Sequence, residues 1–99
     1  MKNSTNVSAR FGSAREATAA VDWFRNQRTD PSAIAVAVAA PGEAARPTRA
    51  GDNRRTDLAW FVSVDLTIAP VARRIAIETM KREGGKIVER APGAEAPAT

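Results

Sequence analysis

Twice along this chain the hydrophobic period changes from two residues to 3.6 and back, and that order of periods restricts the fold more than any other feature. Alternating apolar residues place one face of a strand against a core, whereas spacings of three and four place one stripe of a helix there. Asn6 to Gly12 alternates, with Val7, Ala9 and Phe11 on one side. Ser13-Ala14-Arg15-Glu16 then has the form of a capping box, in which the serine hydroxyl takes an orphan amide and the glutamate reaches back to another. A helix follows, because Ala14, Ala17, Val21 and Phe24 recur at helical spacing until Asp30-Pro31 breaks it. Ala33 to Ala39 reads as a second strand, with Ile34, Val36 and Val38 opposite Ala35, Ala37 and Ala39. Leu58 to Leu66 is a third, with Trp60, Val62 and Val64 opposite Ala59, Phe61, Ser63 and Asp65. Pro70 suits the first position of a second helix, whose buried arc is Val71, Ala72, Ile75, Ala76, Thr79 and Met80. Gly84-Gly85 closes that helix, and Lys86 to Arg90 forms a short last strand.

Strand, helix, strand, strand, helix, strand predicts an α+β domain of the ferredoxin-like βαββαβ kind, a four-stranded antiparallel sheet with both helices on one face. The single domain is expected to run from residue 6 to residue 90. Between them, residues 40–57 hold Pro41, Gly42, Pro47, Gly51 and four arginines with no period of either kind. They are expected to form a mobile connection, since the arginines repel one another and no apolar residue anchors them. Residues 91–99 are rich in Ala and Pro and are expected to be a disordered tail.

Phe11-Gly12-Ser13, Ala17, Ala20-Val21 and Ile34-Ala35-Val36 at one end, and Lys81 to Val88 at the other, make a pattern over roughly half the chain. In this the chain resembles the bacterial general-stress (heat-induced stress) family of small α+β domains. The resemblance implies the same fold and a stress-associated role, and it brings no catalytic residues. Where that family often carries a glycine-rich apolar insert, this chain has the polar Arg/Pro segment.

Residue types narrow the chemistry. The absence of His removes the commonest proton carrier near neutral pH, and the absence of Cys removes disulfides and thiolate metal sites. Without either, a metal would need clustered carboxylates in spaced loops, and no such loop is present. No phosphate-cradling glycine loop or nucleophile elbow occurs. Asp65, alone or with Arg10, is the best remaining candidate for acid–base work, but a loop cap explains it as well. The chain is therefore expected to be no enzyme and to carry no cofactor or metal. No run approaches ~18 apolar residues and no apolar signal core follows Met1, so a cytoplasmic protein without membrane attachment is expected.

Two partner surfaces remain. Net charge is +4, with twelve Arg against three Lys, so Arg46, Arg49, Arg54 and Arg55 could grip phosphates of a nucleic acid without sequence preference. A compositional bias toward Arg and Ala accounts for the same count. The face opposite the helices would carry Ala35, Ala37 and Ala39 beside Ala59, Phe61 and Ser63, where a solvated face should carry Lys, Glu and Thr. Small ordered cores gain from extra burial, and a smooth face is closed most simply by a second copy. A non-enzymatic interaction domain, homodimeric through those six residues, is the primary expectation, and nucleic-acid binding through the four arginines is the alternative. Trp23 and Ile77, off their helical stripes, are further candidate contacts.

Overall fold

A computed structural model describes residues 6–69 and 71–88. Five strands and two helices follow in the order β1 (Asn6–Phe11), α1 (Ala14–Asn26), β2 (Ile34–Ala39), β3 (Arg46–Pro47), β4 (Ala59–Asp65), α2 (Arg73–Arg82) and β5 (Lys86–Val88). The sheet order is β3-β2-β4-β1-β5, and every neighbouring pair is antiparallel. The domain is therefore α+β, with a five-stranded sheet in place of the four strands expected. The fifth, β3, pairs Pro47 with Ala37 and Arg46 with Val38 on the outer edge of β2. Two residues are too few to show a period, and a proline on an edge strand leaves no amide for further pairing.

Register fixes what faces what. Val7, Val64 and Ile34 lie in one row, Ala9, Val62 and Val36 in the next, and Phe11, Trp60 and Val38 in a third. These rows share one core with Ala17, Ala20 and Phe24 of α1 and with Ala76 and Met80 of α2, so both helices cover the same side. Phe11, Phe24 and Met80 are the largest side chains fully buried there. Burial of each stabilises the fold by ~1.5–3 kcal/mol.

The helix ends show how local chemistry sets the elements. Ser13 accepts the Glu16 amide at 3.2 Å, and Glu16 Oε1 accepts the Gly12 amide at 3.3 Å, one residue earlier than a capping box requires. Both helices close with the same pair of bonds. In α2 the Gly84 amide donates to the Lys81 carbonyl and the Gly85 amide to the Met80 carbonyl at 2.8 Å. In α1 the Arg28 amide donates to Arg25 and the Thr29 amide to Phe24. The motif needs a left-handed residue, which is Gly84 at φ 99° in one helix and Arg28 at φ 63° in the other.

Two expectations about the second helix need correction. Helix α2 begins at Arg73 with Ala72 as its cap, later than the sequence indicated, and Pro70 lies outside the described residues. Ala76, Thr79 and Met80 are buried as expected, but Ile77 packs against the core while Ile75 is exposed. Within residues 40–57, Ala45 packs against Ala39 and Phe61, and the turn Asp52–Arg54 lies against α1. The tail expected over 91–99 lies outside the described residues, as do the last two positions of the final strand.

Candidate functional site

The alternate positions of the same strands form the face away from the helices. Its middle row runs Ala35, Ser63, Ser8, Val88 across four strands, and the next row runs Pro47, Ala37, Phe61, Arg10, Lys86 across five. Ser8 and Ser63 share a hydrogen bond of 2.7 Å between their hydroxyls. Each polar group in the middle row thus finds its partner within the row, and the row needs little from water. Sequence reasoning missed Ser8, because its partner on β4 becomes visible only once the register is known.

The six residues expected on this face are brought together but are not equally available. Ala35 is exposed, and Ala37, Ala59 and Ser63 are half-buried. Phe61 is only 4% exposed and Ala39 only 7%, because Ala45, Ala59 and Val88 pack around them as a small second cluster. Phe61 therefore lies on the open face as expected, but as its floor, covered by neighbours within one chain. Trp23 likewise packs against the core, its ring edge-on to Phe24 at 5.0 Å between centroids.

The four arginines divide into two pairs. Arg46 makes a fork to Asp52, with Nη2 to Oδ1 at 2.9 Å and Nη1 to Oδ2 at 3.0 Å. Asp52, 4% exposed, also accepts the Arg49 amide at 2.7 Å. The Arg46 guanidinium, then that amide, hold the Asp52 carboxyl down at about 2. Arg55 forks onto Asp57 and lowers the pKa of that carboxyl as well. The side chains of Arg49 and Arg54 make no such pair among the described residues. Two of the four candidate phosphate-binding groups are therefore occupied by carboxylates of their own segment.

Asp65 and Arg10 do not meet. Arg10 lies opposite Phe61 in register, and Asp65 lies four residues further along β4, opposite Asn6. Asp65 instead accepts the Thr67 hydroxyl at 2.6 Å and the Thr67 amide at 2.9 Å, bonds that lower its pKa. It is the loop cap that the sequence offered as the simpler explanation. A cleft of about 410 Å³ opens at the Arg10 end of the face, lined by Arg10, Pro41, Glu43 and Asp57 among others. No three acidic residues gather as metal ligands among the described residues, and none of the described helices is long and apolar enough to cross a membrane. No protein-family model matches the chain, and no curated protein or solved structure matches it either.

Proposed function

We propose that this chain is a non-enzymatic interaction domain, a ferredoxin-like βαββαβ frame with one added edge strand, that works in the cytoplasm as a homodimer through the sheet face opposite its helices. The observation that carries the reading is the middle row of that face, where Ala35, Ser63, Ser8 and Val88 bear no charge and the two hydroxyls bond each other. Small side chains allow a second sheet to approach closely, and a two-fold operation makes one patch its own complement. The separation of Asp65 from Arg10, and the commitment of Asp52 and Asp57 to arginines, speak for contact over catalysis. The resemblance to the general-stress family supports a stress-associated role within the same reading.

Sedimentation equilibrium over a wide concentration range tests it. The native chain is expected to dimerise, and Ala37→Glu to yield monomer, because a carboxylate would be desolvated within the contact. A native chain that stays monomeric at every concentration sinks the proposal. A dimer indifferent to both Ala35→Glu and Ala37→Glu moves the contact to another surface.

A further inference from the structure

The dimer reading leaves open how the two copies are oriented, and the charges on the proposed face bear on that question. Arg10 stands exposed at one end, its guanidinium without a hydrogen-bond or ion-pair partner among the described residues. Lys86 is its register neighbour and adds a second positive charge. Of the carboxylates lining the cleft beside it, Asp57 is committed to Arg55, and Glu43 makes no bond to Arg10. Asp65 stands toward the other end, and its hydrogen bonds to Thr67 use Oδ1 alone. Four residues of strand separate the two, about 14 Å at ~3.4 Å per residue, so they cannot pair within one chain.

We infer that the second copy lies antiparallel on this face, so that Arg10 of each protomer meets the partner's Asp65. This inference rests on the homodimer proposed above. When two facing sheets pack with their strands aligned, the two-fold axis between them runs either along the strands or across them. An axis along the strands brings like ends together and sets Arg10 and Lys86 against their own copies. An axis across them brings opposite ends together and forms the same ion pair twice with one operation. The small uncharged residues between the two charges allow the sheets to close over the middle while both pairs form at the rim.

The test is sedimentation equilibrium on the full chain, native and as Arg10→Asp, Asp65→Arg and an equimolar mixture of the two. Each reversal alone places like charges at both rim contacts and is expected to raise the dimer Kd about tenfold. The mixture restores opposite charges at both contacts and is expected to return to within about threefold of the native Kd. Should Asp65→Arg fail to fold, Asp65→Asn keeps the oxygen that Thr67 uses. It is expected to weaken the native dimer yet tighten that of Arg10→Asp, by removing the repelling carboxylate. A dimer broken by Ala37→Glu but unmoved by either reversal overturns the orientation and leaves the homodimer standing. A mixture that associates more tightly than the native chain also overturns it, in favour of like ends together. A native chain that never dimerises removes the underlying reading itself.

Discussion

Ser8 and Ser63 are opposite one another on β1 and β4, and their hydroxyls lie 2.7 Å apart on the side of the sheet away from α1 and α2. Ser8 is 4% exposed, so its hydroxyl depends on this one partner. Removing one member of such a pair costs more than removing both, because the survivor is left dry and unpaired.

Ser63→Ala is accordingly expected to destabilise the chain by about 1 kcal/mol, and Ser8→Ala/Ser63→Ala to recover much of that loss. Chemical denaturation of the four members of the cycle measures it. Strictly additive effects show that the two hydroxyls do not depend on each other.

The helix ends allow a paired comparison. Arg28 holds the left-handed position that Gly84 holds in the other helix, at φ 63° with an ordinary side chain. Arg28→Gly is expected to stabilise by roughly 0.5–1 kcal/mol, the left-handed penalty less the added freedom of glycine when unfolded. Gly85 is constrained differently: a Cβ there would stand 2.7 Å from Phe11 Cζ and 2.9 Å from the Met80 carbonyl oxygen. Gly85→Ala is expected to destabilise by about 1–3 kcal/mol through overpacking. Thermal melts of both variants give opposite signs, and a stabilised Gly85→Ala contradicts the packing described for Phe11.

These examples show what a single sequence made legible. The Ser13–Glu16 cap, the paired glycines and the alternation of Leu58 to Leu66 are local, and each registers in the residues themselves. What escaped notice depends on contacts between distant positions. Strand β3 is two residues long and is defined only by its pairing with the edge of β2. Phe61 alternates as an outward residue should, yet Ala45 and Val88 close around it from other segments. Asp52 reads as one more polar residue in a loop until Arg46 is found beside it. The proposed face was legible as a set of small residues, while the serine pair and the placement of Arg10 and Asp65 at separate register positions required the register.

Acid should loosen the 40–57 segment before the rest. Asp52 has its pKa held at about 2 in the fold, chiefly by Arg46 and then by the Arg49 amide, and the unfolded carboxyl titrates near ~3.9. A depressed folded pKa contributes stability that is complete above the unfolded value and is lost as pH falls through the folded one. Asp57 and Asp65 shift in the same direction, so the melting temperature is expected to fall steadily from about pH 4 toward pH 2. Asp52→Asn should flatten that dependence while lowering stability at neutral pH. A melting temperature constant from pH 5 to pH 2 is incompatible with these carboxylate contacts.

The division of the arginines makes the sharpest separation between structural and binding roles. Arg46 neutralises a carboxylate that is 4% exposed, whereas the Arg49 and Arg54 side chains carry no such duty among the described residues. Arg49→Ser/Arg54→Ser is therefore expected to leave stability within about 0.5 kcal/mol of native, as surface changes do. Arg46→Ser leaves Asp52 buried beside a single backbone amide, and should lower the melting temperature and expose the segment. Native-state trypsin reads the second effect directly, through faster cutting at Arg49 and Arg54. If the chain instead binds nucleic acid through this segment, Arg49→Ser/Arg54→Ser should abolish a salt-sensitive gel shift with single-stranded RNA while the melt is unchanged. The homodimer reading expects no such shift at physiological salt. A shift that survives this pair of changes and disappears with Arg46→Ser at unchanged stability would assign Arg46 to the ligand and not to Asp52.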